Sequence, residues 1–113
     1  MEDLLIEILQ SFEYPVILQG SLLPSEKYPD DFFTFWSRDS GSKFLSNKEV
    51  AIYYTYDVNF YSTDPAKVYT VLRATVEKLR EAGFIVSGDG HSVVSDEKTH
   101  DGRGIEVTYL HYK

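Results

Sequence analysis

No cysteine occurs among the 113 residues. That excludes a disulfide scaffold, a Cys-ligated zinc site and a thiol nucleophile, and it fits a reducing compartment. Basic side chains are scarce as well: 11 Lys and Arg stand against 18 Asp and Glu, for a net charge of −7. The chain as a whole therefore lacks the basic footprint of a nucleic-acid binder. Long hydrophobic runs are missing too. The apolar run near the start, Leu4-Leu5-Ile6, is broken by Glu7 and follows no basic segment, so neither a signal peptide nor a membrane span is expected. There is no internal repeat, linker or low-complexity stretch.

What is present describes a soluble, acidic, intracellular-type domain. Hydrophobic residues at 42% and charged residues at 26% argue against disorder and against collagen-like or coiled-coil classes. The length fits one domain over residues 1–113, able to bury roughly two-thirds of its unfolded surface. Aromatics stand out at 15%, with nine Tyr and seven Phe against one Trp. Tyrosine joins a large flat body to a polar tip, which suits strands and also surfaces that pair with other proteins.

Local patterns place the elements. Residues 2–12 read as a short helix, with Leu5, Ile8, Leu9 and Phe12 at helical spacing and Glu2 and Asp3 at the positive end of the dipole. Pro15 ends it by steering Tyr14 out of the α region. Val16-Ile17-Leu18 reads as a short buried strand stopped by Gly20, and Ser21 to Asp31, with Pro24 and Pro29, as a loop. Phe32 to Trp36 is a second strand, apolar on both faces, as befits an inner strand or one whose outer face meets a partner. Ser37 to Asn47 reads as a polar connection with room for a hairpin.

Glu49 to Tyr61 carries the clearest signal. Val50, Ile52, Tyr54, Tyr56, Val58 and Phe60 alternate with Ala51, Tyr53, Thr55, Asp57, Asn59 and Tyr61, which is a strand with one buried and one mixed face. At about 3.3 Å per residue it reaches ~40 Å, against a radius of gyration near 13 Å for a compact chain of this size. The strand is expected to bend strongly or to project.

Asp64-Pro65 is a helix start, and Tyr69, Leu72, Val76 and Leu79 mark the inner face of that helix, with Val68 flanking it and Gly83 stopping it. It should pack on the even-numbered face of the long strand. Phe84-Ile85-Val86 begins another strand, and Asp89-Gly90 reads as a hairpin turn into Ser92-Val93-Val94. Ser95 to Gly104 reads as a polar loop, and Ile105, Val107 and Tyr109 mark a last strand. The order predicts an α+β fold, two helices on one face of a mostly antiparallel sheet with one very long strand.

Chemistry-bearing patterns are weak. His91, His100 and His111, with Asp96, Glu97 and Asp101, supply the residue types of a metal site. Yet they lack helix-borne i, i+4 spacing, an HExxH or an EF-hand pattern, and a solvated acid-rich loop explains them. No GxSxG elbow supports a serine triad. Asp30-Asp31 and Asp96-Glu97 are sequence neighbours, whereas glycosidase-like pairs must face each other across a cleft. Ser87-Gly88-Asp89-Gly90 does not open a helix as a phosphate loop would. Gly102-Arg103-Gly104 offers a contact for a phosphate or a carboxylate on a partner, but reads more simply as a turn before the last strand. No catalytic, metal or cofactor residue is assigned, and a non-enzymatic protein is expected.

Four stretches carry a resemblance: Tyr28-Pro29-Asp30-Asp31-Phe32-Phe33-Thr34-Phe35-Trp36, Asp57-Val58-Asn59-Phe60-Tyr61-Ser62-Thr63-Asp64-Pro65, Ala82-Gly83-Phe84-Ile85-Val86-Ser87-Gly88, and Gly102-Arg103-Gly104. In that order, over most of the chain, they resemble small phage and prophage tail-morphogenesis proteins of low-GC Gram-positive bacteria, similar to tail terminators and tail-to-head completion proteins. The resemblance implies an α+β sheet with helices on one face, assembled as a ring, usually a hexamer. It implies partners in copies of itself, the tail-tube protein and the head connector or neck protein, with no membrane, in the virion tail or neck and in the host cytoplasm during assembly. A ring of such acidic chains would let DNA pass its lumen without specific binding. Phe32, Phe33, Trp36, Tyr53, Asp57 and Tyr61 are the candidate subunit or partner contacts.

Three alternatives stand beside this reading. The first is a minor tail or neck protein of the same fold. The second is a small-molecule or enzymatic domain using the 96–104 loop through His100, Asp101 or Arg103. The third, an acidic mimic of DNA, would need its acids gathered on one surface, and they are spread along the chain.

Overall fold

The computed structural model describes residues 2–18, 29–45, 47–87, 90–93 and 99–112. In chain order the elements are α1 (Glu2–Gln10), β1 (Val16–Leu18), β2 (Asp31–Leu45), β3 (Lys48–Ser62), α2 (Pro65–Glu81), β4 (Ile85–Val86), β5 (His91–Val93) and β6 (Asp101–Tyr112). The six strands make one sheet in the order β1-β2-β3-β6-β4, with β5 also on β6. Among the described residues only β1 runs parallel to its neighbour; the remaining pairs are antiparallel. The fold is α+β.

Both helices lie on one face. Leu5, Ile8 and Leu9 of α1 and Leu72, Val76 and Leu79 of α2 share a core with Phe33 and Phe35 of β2, Tyr56, Val58 and Phe60 of β3, and Ile105 and Val107 of β6. Cross-strand register puts these residues opposite one another, Phe33 with Phe60 and Val58 with Ile105. The even-numbered face of β3 is thus the face that the helices cover. On α2 Leu72, Val76 and Leu79 are buried as expected, and the expectation fails only at the start of the helix. Val68 is buried, whereas Tyr69 is exposed.

A polar knot fixes α2 on the sheet. Asp64 caps the helix, accepting from the backbone N–H of Ala66 at 2.9 Å, and Pro65 follows at its first turn. Ser62 Oγ donates to Asp31 Oδ1 at 2.5 Å and accepts from the backbone N–H of Asp64 at 3.0 Å. Lys67 Nζ reaches Asp31 Oδ2 at 3.0 Å. The start of β2, the end of β3 and the first turn of α2 therefore share one network. Burial pushes the Asp31 carboxyl up, but the hydrogen bonds from Ser62 and Lys67 and the Lys67 charge outweigh it, holding it below its ordinary value.

Four expectations from sequence are corrected. Residues 37–45 are strand rather than connection: β2 continues to Leu45 and turns back at Asn47, whose φ of 64° suits a tight hairpin turn. Asp101 to Gly104 belong to β6 rather than to a turn. β4 and β5 form no hairpin with each other. Each pairs antiparallel with β6, at Thr108–Val107 and at Gly104–Gly102, so they run in one direction as an interrupted edge strand. Gly90 at the interruption has φ +97°, and a Cβ there would lie 2.8 Å from the Gly104 carbonyl oxygen. β1 is only partly buried, because it is an edge strand and not an inner one. Gly20, residues 21–28, Asp89, and residues 94–98 with Asp96 and Glu97 lie outside the described residues.

The molecule is long. A strand of fifteen residues spans about 50 Å at ~3.3 Å per residue, and the principal dimensions are 52 × 28 × 22 Å. The radius of gyration is 15.2 Å, above the ~13 Å of a compact chain of this length. The helix-covered core ends near Tyr54 and Tyr109. Beyond it β2, β3 and β6 continue together as a three-stranded tongue, with Phe44, Leu45 and Tyr112 exposed at its end.

Candidate functional site

The face of the sheet that the helices do not cover is built from the alternate residues of β2, β3 and β6. Its cross-strand rows are Phe32–Tyr61–Gly102, Thr34–Asn59–Gly104, Trp36–Asp57–Glu106, Thr55–Thr108 and Gly41–Tyr53–Leu110. Glycines make room for the aromatics. The Tyr61 ring lies where a Cβ on Gly102 would be, and the Tyr53 ring lies across Gly41, 2.6 Å from the position of a Cβ there. Such glycine–aromatic pairs flatten bulky rings onto the sheet and pin its register.

The middle of this face is polar. Between Ser37 and Asp39 the β2 register shifts by one residue, so Arg38 is extra in its strand. Its guanidinium reaches Glu106 Oε2 at 2.6 Å and Asp57 Oδ1 at 3.4 Å, bridging three strands. These ions are well exposed, so the bridge is worth about 0–1 kcal/mol and serves to orient more than to stabilise. Thr55 and Thr108 share a hydroxyl hydrogen bond at 3.1 Å in the next row.

Apolar groups flank the bridge. Trp36 is 50% exposed on one side, and Ile85 of β4 is 52% exposed on the other. Tyr53, Thr55, Ile85, Thr108 and Leu110 line a shallow depression of about 420 Å³. The sheet edges continue the surface. Among the described residues β1 accompanies β2 only along Phe33–Phe35, and no strand lies outside Gly41–Leu45 or outside Tyr109–Tyr112. Edge groups in such segments are ready to pair with another chain.

Of the six candidate contacts, Trp36, Tyr53, Asp57 and Tyr61 lie on this face with part of their surface open. Phe32 is on the same face but 3% exposed, stacked on Tyr61 with ring centroids 5.1 Å apart. Phe33 points the other way, fully buried against Phe60, Phe12 and Tyr14, and has no surface to offer. Sequence reasoning missed Arg38, Ile85 and Leu110. Arg38 fell in a stretch read as connection, and a two-residue strand gives no sign of which residue faces out.

The residues of the rival site do share a cleft. His100, Asp101 and Arg103 line a space of about 510 Å³ with Pro65, Tyr69 and Val93. His100 is buried, however, and both ring nitrogens have partners. Nε2 is 2.7 Å from the Pro29 carbonyl oxygen, which can only accept, so Nε2 carries the proton, and Nδ1 faces the Thr99 hydroxyl. The ring also packs edge-on against Phe32. His91 and His111 are exposed on separate strands, and among the described residues no three His, Asp or Glu side chains gather as metal ligands. No described helix is long and apolar enough to cross a membrane. Compared with known proteins, the chain matches no family model and no curated sequence.

Proposed function

We propose that this chain is a structural assembly protein of a phage or prophage tail, a completion protein that caps the tail tube as a ring of its own copies and meets the head connector. The family resemblance of its four sequence blocks suggests the tail, the hexameric ring and the two partners. One structural observation carries the assembly part of the reading. The β2–β3–β6 tongue runs past the helix-covered core, and among the described residues no strand covers its edges at Gly41–Leu45 and Tyr109–Tyr112. A neighbour that adds a strand there satisfies the backbone groups of that edge, while Trp36, Tyr53 and Ile85 supply apolar anchors beside it. The net charge of −7 suits a ring through which DNA passes without sticking.

The same surface would serve a minor tail or neck protein equally well, so the partner identifies the role. Light scattering on the chain alone, and after mixing with the tube protein of the same phage, tests it. A mass of two or more times 13.0 kDa, or a stable complex with the tube, is the expected result. A monomer at every concentration, with no affinity for tube or connector protein, would overturn the proposal.

A further inference from the structure

The tip of β2 carries a pattern that its own fold does not use. Over Gly41-Ser42-Lys43-Phe44-Leu45 two small residues precede two large ones, with Lys43 between them. Phe44 is 65% and Leu45 68% exposed. Alternation along the strand puts Leu45 on the face of Gly41, where the Tyr53 ring lies, and Phe44 on the face of Ser42. The register shift beside Phe44 leaves this alternation intact, because the extra residue is Val50 of β3.

The outer edge of this segment is open. β1 follows β2 only along Phe33–Phe35, and among the described residues no strand lies outside Gly41–Leu45. The link from Leu18, beside Phe35, to Pro29, just before β2, is eleven peptide units long. At no more than ~3.5 Å each these reach about 38 Å, whereas a path out to Gly41 and back to Asp31 takes about 53 Å along the strand. Alternate residues of the edge therefore turn their N–H and C=O groups to water.

A second copy of the same segment fits this edge. Laid antiparallel about a dyad at Lys43, normal to the sheet, Leu45 of each copy stands opposite Gly41 of the other, and Phe44 opposite Ser42. Each large residue then meets a small one, and Leu45 meets the Tyr53 ring that fills the space over Gly41. The helix-covered cores lie at opposite ends of such a dimer. A parallel pairing would set them side by side, and both β1 strands would have to enter a gap that the ~4.8 Å between paired strands does not provide.

We propose that the free chain pairs tip to tip with a second copy of itself through Gly41–Leu45 in this antiparallel register. The inference rests on the reading of the tongue as an assembly surface. It names the occupant of one edge and leaves the β6 edge to another neighbour. Five residues a side make a small contact, and like charges directly opposite one another, as at Lys43, weaken a strand pair. The dimer of the parent chain is therefore transient.

The chain has no cysteine, so Lys43→Cys places the one thiol of each copy at the dyad, within the Cα separation that a disulfide needs. Under mild oxidation it should crosslink at least about tenfold faster than Thr70→Cys on the exposed side of α2. Small-angle scattering of the crosslinked dimer should give a maximum dimension near 85 Å, twice the 52 Å length less the five-residue overlap. Phe44→Ser with Leu45→Ser should slow the crosslinking about tenfold, with circular dichroism unchanged. In the parent chain, amide signals of Gly41–Leu45 should shift with concentration while those of Val58 and Val107 do not. Crosslinking no faster than that of Thr70→Cys, a compact crosslinked dimer, or concentration-independent signals at Gly41–Leu45 would overturn the proposal. A chain that fails these tests yet binds tube protein leaves the assembly reading standing. A chain that passes them yet binds neither tube nor connector protein overturns that reading alone.

Discussion

Trp36 and Phe33 lie three residues apart on opposite faces of β2, and substituting each to Ala separates folding from assembly. Phe33 is fully buried within an aromatic group formed by Phe12, Tyr14 and Phe60. Its truncation leaves a cavity and costs about 3–5 kcal/mol, a large part of the roughly 5–15 kcal/mol that holds a domain of this kind together. Trp36 is 50% exposed. A large aromatic buries 150–250 Å² when fully covered, so about 100 Å² remains for a partner to cover. At about 25 cal/mol per Å² that surface is worth ~2.5 kcal/mol on association, or about 60-fold in a dissociation constant. The half that is already covered limits the cost to the free chain to about 1–2 kcal/mol, a fall of about 5–15 °C in Tm. Sedimentation equilibrium over a concentration series, alone and with tube protein, reads the first number, and thermal denaturation reads the second. Trp36→Ala that folds and assembles with unchanged affinity would refute the assignment of this face as the contact surface.

Other expectations follow from the fold. Gly90→Ala forces a side chain into a left-handed conformation and against the Gly104 carbonyl, and should cost about 1–3 kcal/mol in urea denaturation. Asp64→Ala removes the α2 cap and should cost about 1 kcal/mol by the same assay. The Asp31 carboxyl is held below its ordinary value near 3.8. Its stabilisation is therefore complete above that pH and is lost as pH falls through the native value. Asp31→Asn should flatten the dependence of Tm on pH in this acid range. A variant as acid-sensitive as the parent would show that the Ser62–Asp31–Lys67 network contributes nothing.

The legible parts of the sequence were those that local physics decides. The Asp64-Pro65 start of α2 and the alternation over Glu49 to Tyr61 gave the helix, the long strand and the face on which they meet. The second half of β2 was illegible because Ser37, Arg38, Asp39, Ser40 and Gly41 have little strand preference of their own. They are strand because β3 lies beside them in register. Asp89-Gly90 carried a turn signal, but β6 offered both β4 and β5 the same edge, and two antiparallel pairings with β6 replaced one hairpin. Phe32 to Trp36 was apolar on both faces, so periodicity could not say that Phe33 faces the helices while Trp36 faces outward.

Amide hydrogen exchange on the tongue bears most directly on whether a neighbour completes this sheet. In the dilute chain, edge amides within Gly41–Leu45 and Tyr109–Tyr112 should exchange rapidly while those of Val58 and Val107 are protected. On assembly, or on adding tube protein, the edge amides should slow by about tenfold or more, with the core amides little changed. Edge amides that exchange at one rate in the free chain and in every complex it forms would contradict the proposed role of the tongue.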